Sequence, residues 1–163
     1  MKFGRRAALI TVSAVACLSA TAVYAFSATS GTDEQVAVPV PDATVAAYCA
    51  ALHAQLPDKV NGLSRHDLKP ASELTAGWGD PAIVLRCGVP RPAADNSTAT
   101  DVVDVDGVGW SIEPRPDGSF RLTTTLRKAY VEVTLPKKWA GDLGLGPLTD
   151  LAGPVKKTVP EGI

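Results

Sequence analysis

Two cysteines constrain the fold of this chain more than any other feature of its sequence. The chain has three cysteines, and Cys17 lies in an N-terminal leader, which leaves Cys49 and Cys87 for the domain that follows. Two cysteines in an exported domain typically form a disulfide. Closing the loop between them would stabilise a small domain by about 3–4 kcal/mol. A free buried pair and a redox-active pair are the alternatives, although the usual redox spacing, Cys-x-x-Cys, is absent.

The residues around each cysteine independently support the disulfide. Residues 42–56 are predicted as the principal helix, with Asp42 as its N-cap and one apolar stripe formed by Val45, Cys49, Leu52 and Leu56. Residues 82–89 are predicted as a strand with one apolar face formed by Ile83, Leu85, Cys87 and Val89. Both sulfurs therefore point towards the core, and packing the helix on the strand brings them together.

The first 26 residues have the pattern of a membrane anchor or signal segment. Lys2, Arg5 and Arg6 precede residues 7–25, which contain no charge, proline or glycine. As a helix, this apolar run would extend about 28 Å, close to the roughly 30 Å of a bilayer core. Positive charge before the run keeps the N-terminus inside. We therefore expect an uncleaved anchor in the cytoplasmic membrane, with the domain on the extracytoplasmic side.

Two other fates of the leader stay open. Val23-Tyr24-Ala25 has small residues that suit signal-peptide cleavage after Ala25, which would release the protein as a secreted one. Ala14-Val15-Ala16-Cys17 is similar to a lipobox, which would make Cys17 a lipidation site. It has Ala14 where leucine is usual, and the residues after Cys17 stay apolar.

Length and charge limit the remainder of the chain to one domain that does not bind polyanions. Residues 27–41 are a Val- and Pro-rich extended linker, and residues 42–159 are predicted as a single extracytoplasmic domain. The 163 residues are 45% hydrophobic and 20% charged, an ordinary globular balance. Of the 16 basic residues three lie in the leader, which leaves 13 against 17 acids and a net charge of −4. We therefore expect no nucleic-acid partner.

Hairpin signals dominate the second half of the domain. Asp106-Gly107 separates predicted strands 102–105 and 108–113, and Pro116-Asp117-Gly118 leads into 120–126 and then 129–135. Residues 58–76 are predicted as a loop or short helical turn, and residues 148–152 as at most a short helix ended by Gly153-Pro154. The predicted fold class is α+β: one principal helix, about 42–56, stapled by the disulfide to a mostly antiparallel sheet of four to five strands.

No catalytic, metal-binding or cofactor-binding residues are predicted. Asp104-x-Asp106-Gly107 with Glu113 matches part of a calcium loop but has Val102 at the first position, so that a hairpin turn is the better interpretation. His53 and His66 lack further ligands at zinc spacing. The nucleophile elbow Gly-x-Ser-x-Gly and the phosphate loop are absent from the sequence. Trp78, Asp80 and Trp110 are the candidates for a binding surface, with a core role for Trp78 as the alternative.

Several blocks of the sequence resemble one family. They are Tyr48-Cys49, Trp78-Gly79-Asp80-Pro81, Leu85-Arg86-Cys87-Gly88-Val89, Asp106-Gly107-Val108 and Ala129-Tyr130-Val131-Glu132-Val133. Over residues 45–136 the chain is similar to the domain-of-unknown-function 3515 family, uncharacterised exported proteins of high-GC Gram-positive bacteria. The resemblance implies an N-terminal membrane segment or lipid signal, an exported domain and a cysteine pair. It implies no catalytic residue.

Three classes of function follow from these observations. We favour a non-enzymatic module of the cell envelope that binds a partner protein or a cell-wall component at the membrane. A hydrolase acting on envelope material is the second, and it would place a catalytic carboxylate in the stretch 101–106. A small-ligand carrier is the third, and it predicts an apolar cavity between the helix and the sheet.

Overall fold

A computed structural model describes residues 35–96, 101–142 and 144–162 of the chain. The leader, with Cys17, and most of the linker therefore lie outside the described residues. No helix of the described part is long and apolar enough to span a membrane.

The domain is built on an eight-stranded sheet in which every pair of neighbours is antiparallel. The strand order is β1-β2-β3-β4-β8-β7-β6-β5, so the last four strands form a meander that returns to pair β8 with β4. The strands are β1 Lys59–Val60, β2 Leu63–His66, β3 Thr75–Trp78, β4 Ile83–Val89, β5 Val102–Val105, β6 Val108–Pro114, β7 Phe120–Thr124 and β8 Tyr130–Leu135.

The expected fold class, α+β with one helix on four to five strands, is wrong. The sheet has eight strands and the fold is mostly β. The three additional strands come from residues 59–78, most of which were expected to be a loop. There β1 and β2 form a hairpin around Asn61 and Gly62, which both have positive φ, 49° and 81°. Strand β3 is buried along its whole length between β2 and β4.

The principal helix α1, Ala43–Gln55, is confirmed close to its predicted bounds. Asp42 caps it, because its Oδ1 accepts a hydrogen bond of 2.9 Å from the backbone N–H of Val45. Cys49 and Leu52 on its inner face are fully buried. The disulfide Cys49–Cys87 is also confirmed: it joins α1 to β4 with a Cα–Cα distance of 5.5 Å across a sequence separation of 38.

A second long helix, α3 (Gly146–Thr158), follows the four-residue helix α2 (Lys137–Ala140) and packs beside α1. The expected stop at Gly153-Pro154 is wrong, since the helix continues through Pro154. A proline inside a helix costs about 3 kcal/mol. The helix nevertheless buries a stripe of apolar side chains at helical spacing, and burial of each leucine or valine in it contributes roughly 1.5–3 kcal/mol. The stripe consists of Leu148, Leu151, Ala152 and Val155.

The meander of β5 to β8 matches its prediction closely. Asp106 and Gly107 occupy the two-residue turn between β5 and β6 with φ of 53° and 80°. This left-handed geometry suits glycine and is tolerated by aspartate, which explains the Asp-Gly pair at this turn. The Asp104 carboxylate accepts a hydrogen bond of 3.0 Å from the N–H of Gly107. The hairpin interpretation of the Asp-rich stretch is therefore confirmed.

Candidate functional site

The two faces of the sheet carry different side chains. The face towards α1 and α3 is apolar, and its central residues Leu85, Leu122 and Val133 are each at most 2% exposed. Because side chains alternate along a strand, the neighbouring positions project from the opposite side, which we call the polar face. Its central residues come from four adjacent strands: Arg86 of β4, Glu132 of β8, Arg121 and Thr123 of β7, and Ser111 of β6.

Ion pairs connect the charged groups of the polar face in one network. Glu132 lies directly opposite Arg86 in the sheet, and Nε of Arg86 lies 3.0 Å from Oε1 of Glu132. The Nε of Arg121 lies 3.3 Å from the other oxygen, Oε2. Arg121 also contacts Glu113 at 3.5 Å, and Arg115 contacts the same carboxylate at 3.1 Å. The Glu132 side chain is only 9% exposed, so these two guanidinium groups supply the compensation that a nearly buried carboxylate needs.

The connection between β4 and β5 contributes its residues 90–93 as a wall beside this network. It carries a short 3-10 helix, Ala93–Asn96, whose Asp95 accepts a hydrogen bond of 2.7 Å from the Tyr130 hydroxyl of β8. The same oxygen of Asp95 lies 3.5 Å from the Nε of Arg91, and the Asp95 side chain is fully buried. Burial raises the pKa of Tyr130, and donation to the negative Asp95 raises it further. The neutral phenol therefore holds the connection against the sheet.

Between this wall and the polar face lies an open cavity of about 700 Å³, within the usual size range of small-molecule sites. Three guanidinium groups, three carboxylates and two hydroxyl groups line it, together with prolines and aliphatic side chains. The polar lining residues are Arg86, Arg91, Arg121, Asp101, Glu113, Glu132, Ser111 and Thr123. We call this the polar-face cavity. Its chemistry suits a small ligand with charged groups.

The family model described as "Protein of unknown function (DUF3515)" matches residues 7–163, essentially the whole chain. The chain belongs to the DUF3515 family. The resemblance seen over residues 45–136 is thereby confirmed and extended to both sides. No curated protein and no solved structure matches the chain.

In this DUF3515 protein the block Arg86-Cys87-Gly88 joins three parts of the molecule to β4. Arg86 reaches the Ala37 carbonyl of the N-terminal segment with Nη1 at 3.2 Å, while its Nε holds Glu132. Cys87 forms the disulfide to α1. Gly88 has φ of +86° at the bulge where β4 shifts register against β8, and a Cβ there would come within 2.8 Å of Pro41. Only glycine allows both this conformation and this approach.

The residues predicted to form a binding surface do not come together in the DUF3515 structure. The Trp78 ring is completely buried, and its Nε1 donates a hydrogen bond of 3.0 Å to the Pro57 carbonyl. The Trp110 ring is also completely buried, and its Nε1 has no hydrogen-bond partner among the described residues. Both rings occupy core-facing positions of their strands. Asp80 lies exposed in the turn before β4, and neither ring reaches a surface beside it.

The other residues considered from the sequence lie apart from one another. Asp101 lines the polar-face cavity, whereas Asp104 lies at the hairpin turn, so stretch 101–106 does not form one acidic site. The guanidinium of Arg65 donates a hydrogen bond from Nη2 to Nε2 of His53, at 2.8 Å. Burial lowers the pKa of His53, and the positive charge of Arg65 lowers it further. The described residues contain no group of three or more His, Cys, Asp or Glu side chains arranged to hold a metal ion.

A second cavity, of about 500 Å³, lies between the β5–β6 turn and the C-terminal residues. Arg127 lies there at 3% exposure and donates hydrogen bonds to the carbonyls of Val159, at 2.7 Å, and of Gly107, at 3.1 Å. Its guanidinium thus joins the end of α3 to the turn. The Arg127 guanidinium therefore has a structural role, because it donates to backbone carbonyls of the protein itself. The polar-face cavity is the better candidate for a ligand site.

Sequence reasoning missed the polar-face cavity because its parts are distant in the chain. The alternation of β4 does place Arg86 on the face opposite Cys87. The contact between Arg86 and Glu132, however, spans 46 positions and requires β8 to pair with β4. One charged residue at an outward position in each of three strands, Arg86, Arg121 and Glu132, was the available signal.

Proposed function

We propose that this DUF3515 protein is a non-enzymatic binding module of the cell envelope, held at the extracytoplasmic side of the cytoplasmic membrane by its leader. Its ligand is a small polar molecule or the polar end of an envelope component. The polar-face cavity is the ligand site. The observation that carries the proposal is the network of arginines and carboxylates that lines this cavity on the face opposite the core.

The placement of the charged groups supports a binding role. Arg86, Arg121 and Glu132 stand on three adjacent central strands, and each ion pair restrains the side chains on both sides of it. A site built on strands is held more rigidly than one built on loops. The arginines contact Glu132 through Nε. Nη1 of Arg86 donates to the Ala37 carbonyl and Nη1 of Arg121 contacts Glu113, so the guanidinium groups that line the cavity are held in place. A ligand would therefore meet donors that are already oriented, which lowers the entropic cost of binding.

The disulfide and the leader support the location. Disulfides persist in oxidising compartments and are rare in the cytoplasm. The bond between Cys49 and Cys87 is buried, with both residues at 1% exposure or less, which fits a permanent structural role. The basic residues before the apolar run of the leader favour an external position for everything that follows.

Fractionation of cells that make the full chain tests the location. We expect the protein in the membrane fraction with residues 1–25 retained. An N-terminus at Phe26 in the medium would contradict anchoring and establish secretion. Labelling with fatty acid that disappears in Cys17→Ser would contradict the uncleaved anchor and establish a lipoprotein.

Photo-crosslinking in intact cells tests the binding role. A photoreactive amino acid replaces Ala93, which lines the cavity, in the full chain. We expect an envelope component to be captured, and its yield to fall in Arg121→Gln. Arg115→Gln is the matched control, because Arg115 is similarly exposed, at 39% against 36%, and pairs with Glu113 without lining the cavity. Equal capture by both variants, or none by the parent, would overturn the proposal.

A further inference from the structure

The polar-face cavity has hydrogen-bond donors left over after its internal ion pairs are made. Arg91 contacts the Asp95 carboxylate through Nε, and its side chain is 40% exposed. Arg121 uses Nε and Nη1 for its two carboxylates. Arg91 also forms a side-chain hydrogen bond with Tyr130, which leaves part of its five N–H groups for a ligand. Within the described part of the chain, Nη2 of Arg121 makes no hydrogen bond or ion pair. Terminal guanidinium nitrogens are the atoms that hold a carboxylate in paired hydrogen bonds.

The charged side chains that line the cavity balance one another. Arg86, Arg91 and Arg121 line it, and so do three carboxylates, those of Asp101, Glu113 and Glu132. A ligand that carries one charge of each sign keeps this balance, whereas a ligand with only negative charge does not.

Asp101 differs from the other two carboxylates of the cavity. Asp101 lines the same cavity, its side chain is exposed, and it forms no salt bridge with any residue of the described ranges. Its backbone carbonyl accepts the Ile112 N–H at 2.9 Å, which fixes its position at the start of β5. The cavity thus combines an unpaired anion with surplus guanidinium donors, and a ligand that satisfies both carries one charge of each sign.

We propose that the polar-face cavity binds a zwitterionic ligand of the amino-acid or short-peptide class, with a free carboxylate and a free ammonium group. The carboxylate binds the remaining N–H groups of Arg91 and Nη2 of Arg121, and the ammonium binds Asp101. Pro90, Pro92 and Pro114 line the same cavity and offer apolar contact to a side chain. A dipeptide extends about 7 Å, and the cavity volume of about 700 Å³ accommodates it. This assignment rests on the proposed binding function and specifies its ligand class.

Titration calorimetry on the full chain in mild detergent tests the assignment, with glycylleucine as the probe. Its C-terminal amide lacks the carboxylate, and its N-acetyl derivative lacks the ammonium group. We expect each derivative to bind about tenfold more weakly or worse, because each loses one charge-assisted interaction. Inorganic phosphate, the fourth probe, separates a zwitterion site from a general anion site. Phosphate that binds as tightly as glycylleucine would overturn the assignment.

Two variants assign each end of the ligand. Arg91→Gln should lower the affinity for glycylleucine and abolish the preference over its amide. Asp101→Asn should abolish the preference over the N-acetyl derivative, and Arg115→Gln should keep both preferences. Unchanged preferences in the first two variants would overturn the assignment.

The results also separate this assignment from the broader function. If no probe binds while the crosslinked envelope component still depends on Arg121, the zwitterion assignment fails and the binding module stands. If neither is observed, both fail.

Discussion

The two faces of the sheet use the same strands for different purposes. In β4, β7 and β8, the residues Leu85, Leu122 and Val133 are buried under the helices, and each has a charged neighbour on the other face: Arg86, Arg121 and Glu132. Burial of apolar area stabilises the first set, whereas the second set is held by ion pairs beside a water-accessible cavity. The strand period of two therefore separates stability from ligand chemistry. Substitutions on the polar face can change binding at small cost to folding.

The largest effect is expected on the core face, at the disulfide. Replacing Cys49 and Cys87 together by alanine should lower the free energy of unfolding by about 4 kcal/mol, from the loop-closure entropy of a bond of this span. Denaturant unfolding followed by circular dichroism measures the loss. Ligand binding by the protein that remains folded should be unchanged. A loss below about 1 kcal/mol would contradict the role of the disulfide as the main staple between α1 and β4.

A single core substitution should come next. Leu122→Ala should destabilise the domain by about 3 kcal/mol, because it removes buried methyl groups and leaves a cavity. Thr134→Ala on the neighbouring strand and the opposite face is the matched control, and we expect about 0.5 kcal/mol or less. Thermal unfolding of both variants sharpens the comparison of the two faces. Equal losses would show that the polar face contributes to stability as much as the core does.

The polar network should have a smaller effect on stability. Glu132→Gln leaves two arginines opposite a neutral amide and should cost about 1–2 kcal/mol, less than a fully buried pair because those arginines are 26% and 36% exposed. Glu113→Gln should cost less than about 0.5 kcal/mol, since its carboxylate is 55% exposed. Unfolding in low and high salt tests the electrostatic origin. A cost for Glu132→Gln that does not change with salt would argue against it.

The smallest effect concerns His53, at the C-terminal end of α1. Burial and Arg65 hold its folded-state pKa below the ordinary value, so the folded protein resists protonation that the unfolded chain accepts. Stability is therefore lost as the pH falls below about 6.5, and the loss ends at the folded-state pKa. Arg65→Gln should raise this pKa towards the ordinary value, while burial keeps it somewhat low. An NMR titration of the imidazole measures the shift, and a pKa that falls instead would be inconsistent with this account.

The sequence was sufficient for features that depend on neighbouring residues. The Asp106-Gly107 turn specifies the β5–β6 hairpin, since few residue pairs adopt its left-handed geometry. The helical spacing around Cys49 and the alternation around Cys87 placed both sulfurs in the core and predicted their bond correctly. Each of these signals is contained within one short segment of the chain.

Features that depend on distant residues were not predictable in the same way. The short strands β1 and β2 alternate only weakly in sequence, and they join the sheet because β2 pairs with β3 while β1 pairs with β2. Helix α3 passes through Pro154 because the stripe around Leu151 packs on α1 and the sheet, and local rules do not include that packing. The polar-face cavity exists because β8 lies beside β4, a choice of strand order that no single segment specifies.

The position of β8 also determines how late in synthesis the edge of β4 is protected from pairing with another chain. Strand β4 is apolar on its core face and lies at the centre of the finished sheet, while the outermost strands are short, with two residues in β1 and four in β5. Until β8 arrives from 46 positions further along the chain, the long side of β4 is an open edge that another chain can join. Most of the domain must therefore be synthesised before β8 is available to pair with this side of β4. A chain truncated before Tyr130 would lack β8, and one edge of β4 would have no strand to pair with it.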